Sequence, residues 1–300
     1  MVHPFIKWVG GKTQLLNDLR KYYPFSHYNN IYKYAEPFVG GGAVLFDILN
    51  SFELQEIYIS DANSDLINTY QIIRDRPNDI ITILQNLQDD YWNIALDKRG
   101  YYYSNIRDQY NNLRILNKDN DFLKKAAFFI FLNKTCFNGL YRVNKHGDFN
   151  VAIGNYDFPI ICEKENILNV STKLQKIEIV NGDYYSCRSF VDENTFVYLD
   201  PPYVPLSSIS NTISYTTKHF GYQEQLRLAD FFMELNFTGA KLLMSNSNPK
   251  NSNEYNDFLE VIYDGFDIKN VTATRSINSN TYRRGRVGEL LISNYSLDNI

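Results

Sequence analysis

The segment Asp200-Pro201-Pro202-Tyr203 carries the strongest chemical signal in the sequence. It follows the apolar run Thr195–Leu199, which is typical of a buried strand, and the prolines must end that strand because proline cannot donate to a sheet ladder. A carboxylate, two carbonyls and an aromatic ring are therefore expected where open α/β sheets bind ligands. Such acceptors suit a planar ring with an exocyclic amine, which can donate to Asp200 and to the Pro201 carbonyl while the ring stacks on Tyr203. The alternative is an ordinary strand that ends in a proline turn.

Residues 36–42 form a second candidate site, because three consecutive glycines stand between a predicted strand at 32–35 and a predicted helix at 43–50. Glycine lets the backbone approach a ligand closely, and the amides of the helix point at that ligand. The spacing does not fit a dinucleotide fingerprint, which needs glycine at Leu45, or a P-loop, which needs glycine at Ile6. An ordinary tight turn is the alternative.

Two further features lie near these segments in the sequence. Asp61 follows a predicted strand at residues 56–60, where an acid can bind ribose hydroxyls, and the alternative is an aspartate that caps the next helix. Near the amino terminus, Lys7, Trp8 and Lys12 surround paired glycines. Lys12 can receive a ligand carboxylate and Trp8 can pack on an adenosyl or methionine group, although a surface arm fits equally well.

Length and composition limit the number of domains and the class of protein that the sequence can encode. A chain of 300 residues, 44% of them hydrophobic, suits one large domain or one domain with a sizeable insertion. No run of 18 apolar residues occurs, and the start lacks the apolar core of a signal peptide, so no membrane partner is expected. Three scattered cysteines predict neither disulfides nor a zinc site, which indicates the reducing cytoplasm and no bound metal. The net charge of −4 argues weakly against a nucleic-acid partner, but it is an average that does not exclude a basic stripe.

The order of predicted elements indicates the fold class. Strands alternate with helices in two parts of the chain, which predicts a largely parallel α/β sheet. Residues 64–163 differ, because they are rich in helix to position 131 and then punctuated by glycine and asparagine. We therefore predict a catalytic domain at 1–63 and 164–300 and an inserted target-recognition domain at 64–163. The predicted strands lie at 32–35, 56–60, 176–180, 195–199, 241–245 and 289–293, and amphipathic residues predict a helix at 223–236.

Residues 133–154 are typical of a β-hairpin around a turn at 145–148. A β-ribbon fits the major groove of DNA, where Arg142 can hold a guanine edge with two hydrogen bonds. Phe137 can wedge into the base stack beside an extruded base, with Asn138 facing the orphaned partner. The alternative is a structural hairpin with a solvent-facing arginine.

Two other segments can contact nucleic acid. Arg275 and the run Arg283-Arg284-Gly285-Arg286 stand among asparagine, serine and threonine and can clamp phosphates, although a solvated loop is an equal alternative. Tyr215 follows the segment at 200–203 closely enough to fold over a flipped base.

Taken together, these segments resemble the Dam-type adenine-N6 DNA methyltransferases of the D12 class. That family carries FxKWxGGK, EPFxGGG, an acid after the second strand, a recognition insert and DPPY, and this sequence has all of them in that order between about residues 4 and 295. The resemblance implies a Rossmann-like methyltransferase sheet with an inserted, mainly helical DNA-recognition domain that carries a β-hairpin, and it implies S-adenosylmethionine as cofactor. The implied catalytic residues are Asp200, Pro201, Pro202 and Tyr203. The implied cofactor-binding residues are Lys7, Trp8, Gly10, Lys12, Phe38, Gly40, Gly42, Asp61, Asp183 and Asp200. The implied DNA-binding residues are Phe137, Asn138, Leu140, Arg142, Asn144, Tyr215, Arg275, Arg283 and Arg284.

The predicted activity is methyl transfer from S-adenosylmethionine to N6 of a flipped adenine in a short, specific site of duplex DNA. GATC is the expected site, and a longer site containing GAT is the alternative, because Ala152 stands where GATC-specific members often carry proline. A second hypothesis is methylation of RNA or of a protein amide. A third is a catalytically idle DNA-binding protein that holds the cofactor. The hairpin and the Lys-Trp arm argue against the second, and the intact DPPY argues against the third. We expect a monomer, with a cognate restriction endonuclease as partner if the chain belongs to a restriction–modification system.

Overall fold

The computed structural model describes residues 1–113, 119–203, 220–251, 253, 255–274 and 286–298. A single seven-stranded sheet forms the centre of this described part of the chain. Its strands are β1 (Lys33–Glu36), β2 (Glu56–Asp61), β3 (Ile177–Asn181), β4 (Thr195–Leu199), β5 (Lys241–Ser247), β6 (Asp267–Thr274) and β7 (Arg286–Ser293).

The strand order is β3-β2-β1-β4-β5-β7-β6. Strands β1 to β5 pair in parallel, whereas β7 runs antiparallel to both β5 and β6. The chain winds outward from β1 in one direction and from β4 in the other, so the order reverses between these two neighbours. Ligands of open α/β sheets bind at the carboxyl ends of strands beside such a reversal. The predicted largely parallel α/β sheet is thereby confirmed.

Helices cover the sheet and fill the segment between β2 and β3. Four of them, α3 to α6, lie in the segment that the sequence predicts to be rich in helix. In the described part of the chain, no helix is both long and apolar enough to cross a lipid bilayer. The helices are α1 (Leu16–Leu19), α2 (Ala43–Ser51), α3 (Ser64–Asp75), α4 (Pro77–Asn93), α5 (Arg99–Asn112), α6 (Asp119–Thr135), α7 (Lys164–Leu174), α8 (Tyr222–Asn236) and α9 (Phe258–Ile262).

The two faces of the sheet pack into two hydrophobic clusters. Phe196 and Tyr198 of β4 belong to one cluster, and Val197 and Leu199 belong to the other, as the alternation of a strand requires. All five residues of β4 are buried because both faces are covered. The first cluster also joins residues 5 and 46 to residues 110 and 131. It therefore spans both predicted parts of the chain, and the boundaries at 64 and 163 stay a prediction.

The predicted β-hairpin at residues 133–154 is less regular than expected. Its two arms run antiparallel and share backbone hydrogen bonds, for example from Phe137 to Ala152 and from Asn150 to Arg142, but regular pairing is confined to two isolated bridges, Cys136 with Ile153 and Val143 with Phe149. A 3-10 turn at Phe137–Gly139 interrupts the first arm, because Asn138 adopts a positive φ of 55° and the next residue one of 63°. The segment is therefore an antiparallel loop rather than a continuous two-stranded ribbon.

Candidate active site

The carboxylate of Asp200 lies immediately after β4, at the edge of the sheet where the strand order reverses. Its Oδ1 atom accepts a hydrogen bond of 2.6 Å from Lys12 Nζ and one of 3.3 Å from the hydroxyl of Ser245 on β5. Lys12 is almost completely buried, with 3% of its surface exposed. The amino-terminal arm thus reaches the end of β4, a pairing that local sequence patterns do not reveal.

Lys12 directs its three donors at the backbone and at the DPPY segment. Besides Asp200, it donates to the carbonyl of Gly10 at 3.1 Å and to the hydroxyl of Tyr203 at 2.6 Å. Its Nζ atom also lies 4.8 Å from the centre of the Tyr203 ring. An ammonium has three donors, so the structure groups Lys12 with the predicted catalytic residues rather than with a ligand carboxylate.

Two acceptors of the DPPY segment stay open in the part of the chain that the structure describes. The Pro202 carbonyl accepts from Gln225 of α8 at 3.0 Å, which fixes the turn. Among the described residues, none donates to Asp200 Oδ2 or to the Pro201 carbonyl. The sequence assigns the two hydrogens of an incoming amine to Asp200 and to the Pro201 carbonyl, and the structure leaves Oδ2 as the open oxygen of Asp200 among the described residues.

The charges of Lys12 and Asp200 depend on each other. Burial raises the pKa of the Asp200 carboxyl, and the Lys12 ammonium opposes this rise. Burial lowers the pKa of Lys12, but Asp200, Tyr203 and Glu289 outweigh burial and hold that pKa above its ordinary value. Glu289 lies on β7, 3.9 Å from the Lys12 ammonium. Lys12 is therefore a permanent cation, and it favours the ionised form of Asp200.

The glycine-rich turn after β1 requires glycine for both conformation and space. Gly40 and Gly42 have φ angles of +49° and +76°, which other residues rarely adopt. A Cβ atom at Gly40 would lie 2.9 Å from the indole of Trp8, and one at Gly42 would lie 2.5 Å from the hydroxyl of Tyr70. Tyr70 also donates to the Gly40 carbonyl at 3.1 Å. The arm and α3 therefore enclose the turn from two sides.

Asp61, at the end of β2, holds this turn in place. Its Oδ2 accepts from the backbone N–H of Gly40 at 3.1 Å, and its Oδ1 accepts from that of Asn63 at 2.9 Å. Asn63 is the residue that caps α3, since its side chain accepts from the N–H groups of Asp65 and Leu66. The capping alternative for Asp61 is therefore wrong. The buried Asn63 Nδ2 has no partner in the described part of the chain, so a donor for a ligand stands beside Asp61.

Aromatic rings border the other side of the turn. Phe38 stacks on Tyr184 at 5.2 Å between ring centres and meets Phe220 edge-on at 6.0 Å. The Tyr184 hydroxyl is buried and has no hydrogen-bond partner among the described residues. Asp183 accepts from the backbone N–H of residue 185 at 3.1 Å and from Arg227 at 3.0 Å. Both oxygens of Asp183 are thus engaged by protein groups, and its contact with a cofactor stays a prediction.

Some of the predicted DNA-contacting residues are exposed, whereas others are hydrogen-bonded or packed within the protein. Phe137 is half exposed, and Asn138 projects from the 3-10 turn. Arg142 donates to the side chain of Asn150 at 2.8 Å, and Asn144 accepts from two backbone N–H groups of the following turn. Leu140 packs against the larger hydrophobic cluster. Lys7, which was predicted to bind the cofactor, instead places its ammonium 4.3 Å from the ring of Tyr156, so its contact with a cofactor stays a prediction. Tyr215, Arg275, Arg283 and Arg284 lie outside the described residues.

Comparison with known proteins assigns the family. The model of the D12 class N6 adenine-specific DNA methyltransferases matches residues 8–277. The chain belongs to that class. This D12 methyltransferase is 44% identical to the type II methyltransferase M.MjaIII of Methanocaldococcus jannaschii, over 98% of this chain and 99% of the relative. It is 36% identical to the type II methyltransferase M1.LlaDCHI of Lactococcus lactis subsp. cremoris, over 98% and 96%. It is 32% identical to the DNA adenine methylase of Escherichia coli K12, over 96% and 93%. The predictions of the family and of an adenine-specific DNA methyltransferase are confirmed.

Sequence reasoning about this D12 methyltransferase missed several residues that shape the site. Glu36 is buried beneath the glycine turn and accepts a 2.7 Å hydrogen bond from Tyr34. It lies inside the candidate segment at 36–42, but no role of its own was predicted for it. Ser245, Gln225 and Glu289 reach the site from β5, α8 and β7, and no local pattern marks them, because the pairing of distant elements brings them together.

Proposed function

We propose that this D12 methyltransferase transfers a methyl group from S-adenosylmethionine to N6 of an adenine extruded from a short, specific site in duplex DNA. The observation that carries the proposal is the state of Asp200. Its Oδ1 is held by Lys12 and Ser245, while Oδ2 and the Pro201 carbonyl stay open in the described part of the chain. Two rigid acceptors at the edge of a sheet match the two hydrogens of an exocyclic amine.

The surroundings of the glycine turn fit S-adenosylmethionine. Asp61 and the unpaired Asn63 Nδ2 offer an acceptor and a donor for ribose hydroxyls, and the partly exposed ring of Phe38, backed by Tyr184, offers an apolar surface for the adenine. Trp8 closes the turn from the arm. When bound, the cofactor supplies an electrophilic methyl group on a sulfonium. No step needs a metal ion.

The protein acts chiefly by positioning the amine. The lone pair of an adenine amine is delocalised into the ring, so the amine is a poor nucleophile. By accepting one hydrogen each, Asp200 and the Pro201 carbonyl turn the nitrogen toward tetrahedral geometry, while Tyr203 stacks on the base. Holding two reactants in the correct orientation can lower the activation barrier by about 7–11 kcal/mol. The cost of extruding the base is about a few kcal/mol and is offset by stacking and by contacts to the freed strand.

Lys12 has a supporting role in this scheme. As a buried cation 2.6 Å from Asp200, it keeps the carboxylate ionised and fixes the orientation of its Oδ1. Asp200 does not have to be a strong base, because the amine proton becomes acidic only as the nitrogen gains positive charge. Tyr203, bonded to the same ammonium, is held beside the acceptors.

We propose residues 64–163 as the DNA-reading part and GATC as the first candidate site. The support for GATC is the likeness of the 137–144 run to the recognition hairpin of Dam-type enzymes. Ala152 supports a longer site containing GAT as the second candidate. Sequencing DNA from an expressing host for the context of N6-methyladenine decides between them. Methylation confined to GATC would support the first, and any other motif would refute it.

The test of the chemistry is Asp200→Ala on duplex DNA that contains the site. With tritiated S-adenosylmethionine, the unsubstituted chain should label DNA but not RNA or protein, and the variant should label none of them. Cofactor and DNA binding measured on the same variant would show that the protein is folded. Near-normal turnover by Asp200→Ala would rule the scheme out.

We also propose a monomer in the cytoplasm that acts within a restriction–modification system. Two relatives with matches across their length are named type II methyltransferases, which supports this setting. Expression should then protect host DNA from one restriction endonuclease that cuts the methylated site. Unchanged cleavage by every endonuclease whose site overlaps the methylated motif would contradict the proposal.

A further inference from the structure

Three asparagines hold the amino-terminal arm against the rest of the protein. Each side-chain amide accepts from the backbone N–H and donates to the carbonyl of one arm residue, as a neighbouring β-strand would. The arm thus gains paired hydrogen bonds outside the sheet. The pairs are Asn50 with Val2 at 3.0 and 2.8 Å, Asn166 with His3 at 3.2 and 2.9 Å, and Asn133 with Lys7 at 2.8 Å for both bonds.

Asn133 differs from the other two by one additional bond. Its Nδ2 donates to the carbonyl of Gly139 at 3.1 Å, as well as to that of Lys7. The residue lies in the last turn of α6, with 3% of its surface exposed. One buried amide therefore joins the arm to the loop at 137–139, which carries the exposed Phe137. Removing it would leave several buried backbone groups without partners.

The arm and the loop are also in close contact at this point. Gly139 has a φ of +63°, and a Cβ atom there would lie 2.5 Å from the Cβ of Lys7. The Lys7 ammonium lies over the ring of Tyr156, beyond the second arm of the loop. A shift of the loop must therefore move the arm as well, since the space between them admits no additional atom.

Beyond Lys7 the arm continues directly into the catalytic pocket. Trp8 packs against the glycine turn and stacks on Tyr141 with 5.9 Å between ring centres and 24° between planes. Four residues later, Lys12 reaches Asp200. A short, continuous path of contacts therefore leads from the exposed loop to the glycine turn after β1 and to Asp200 at the end of β4.

We infer that Asn133 is a positioning residue that couples the seating of the 137–139 loop on DNA to the placement of Trp8 and Lys12. The inference rests on the proposed function, because it requires that the loop contacts DNA and that the arm borders the cofactor. Its consequence is that methylation is fast only when the loop is seated on the correct sequence. Loss of the coupling lowers the rate on the correct site more than on incorrect sites.

The test compares Asn133→Ala with Asn166→Ala, which loses the same kind of arm contact but none to the loop. Single-turnover rates are measured with S-adenosylmethionine on the best site and on sites with one changed base pair. Asn133→Ala should lower the ratio of these rates by about tenfold, the usual size of such couplings. Asn166→Ala should leave the ratio within about twofold, while both variants lose thermal stability.

A second pair of variants tests the same coupling with Asn133 intact. Gly139→Ala places a methyl group against Lys7, whereas Gly265→Ala has a similarly strained φ of +87° but nothing within 4 Å of the added atom. Only Gly139→Ala should reduce the ratio, and this pair decides the matter if Asn133→Ala fails to fold.

The outcomes separate the two proposals. If the unsubstituted chain forms no N6-methyladenine in DNA, the proposed function fails. If it does, but Asn133→Ala and Gly139→Ala change the ratio no more than their controls, the function stands and the coupling is refuted.

Discussion

The ammonium of Lys12 lies 2.6 Å from the carboxylate of Asp200, although 188 residues separate them in the sequence. The contact joins the amino-terminal arm to the end of β4 and is almost completely buried on the side of the lysine. A buried cation of this kind does not need to touch the substrate to matter. It sets the charge of the carboxylate that receives the amine, and the pH dependence of the reaction should report it.

The first prediction concerns the acidic limb of the pH–rate profile, which is the fall in rate as the pH is lowered. Burial raises the pKa of Asp200 above 3.8, so its carboxylate is lost at a higher pH than that of an ordinary aspartate. The single-turnover rate should therefore fall as the pH is lowered, with a midpoint above 3.8. In Asp200→Asn the remaining rate should lack this limb. An identical limb in the variant would show that another group titrates.

Removing the cation should shift that limb. Lys12→Met keeps much of the side-chain volume but takes away the charge that opposes the rise in the Asp200 pKa. We expect the midpoint to move to higher pH. Since breaking a buried pair costs about 3–5 kcal/mol of folding stability, urea unfolding should show that loss, and the rate at any pH below the shifted midpoint should fall. Lys21→Met, at an exposed pair with Asp18, is the control. A large loss of rate with no shift in the midpoint would mean that Lys12 acts only in folding.

The sequence predicts the local parts of this site well. Two prolines after an apolar run place the end of β4 at Leu199, and the structure has β4 at Thr195–Leu199. The helix after the glycine turn begins at Ala43, as predicted. These features depend on backbone rules that act within a few residues, so a sequence can display them.

The parts that the sequence did not predict depend on distant pairings. Strand β6 was missed, because Asp267–Thr274 mixes polar and apolar residues, as can an edge strand whose one partner among the described strands is β7. The bonds of Asn133 to Lys7 and to Gly139 span 126 and 6 residues. The interruption of the hairpin at Asn138 follows from the left-handed backbone of Asn138 and Gly139. Asn-Gly is a sequence signal for such a turn, but a turn was predicted only at 145–148.

The buried Glu36 should make stability depend on pH in a definite direction. Burial raises its pKa in the folded chain well above the ordinary value of 4.5. The unfolded chain therefore releases this proton first, and the contribution of Glu36 to stability falls as the pH rises above about 4.5. Glu36→Gln lacks the effect, so its free energy of unfolding relative to the unsubstituted chain should increase with pH over that range. Urea unfolding at several pH values measures this, with the exposed Glu53→Gln as a control for loss of charge. A difference that stays constant with pH would contradict the prediction.

Gly42→Ala should disturb the glycine turn by two separable effects. The φ of +76° is strained for alanine, and the added methyl would lie 2.5 Å from the Tyr70 hydroxyl and 2.9 Å from Phe46. We expect a loss of about 1–3 kcal/mol in the free energy of unfolding and weaker binding of S-adenosylmethionine. Tyr70→Phe removes the nearest contact but also the hydrogen bond to the Gly40 carbonyl, so Gly42→Ala is measured in this background against Tyr70→Phe alone, where it should cost less than in the unsubstituted chain. If Gly42→Ala costs as much in the Tyr70→Phe background as in the unsubstituted chain, the Tyr70 hydroxyl does not contribute, and backbone strain together with the Phe46 contact accounts for the loss.

Asp61 should contribute to cofactor affinity both directly and through the turn. Its two oxygens accept from the N–H groups of Gly40 and Asn63, so Asp61→Ala leaves both donors without partners and releases the turn. A lost hydrogen bond between this carboxylate and a ribose hydroxyl is worth about 1.5–3 kcal/mol, which predicts binding of S-adenosylmethionine weaker by about tenfold or more. Asp61→Asn keeps one acceptor oxygen, so its affinity for S-adenosylmethionine should lie between that of Asp61→Ala and that of the unsubstituted chain. Calorimetric titration measures the affinity, with Asp75→Ala at a surface pair with Arg74 as the control. If Asp61→Ala bound the cofactor as tightly as that control, the carboxylate at the end of β2 would have no part in the cofactor site, and the ribose would have to be held elsewhere.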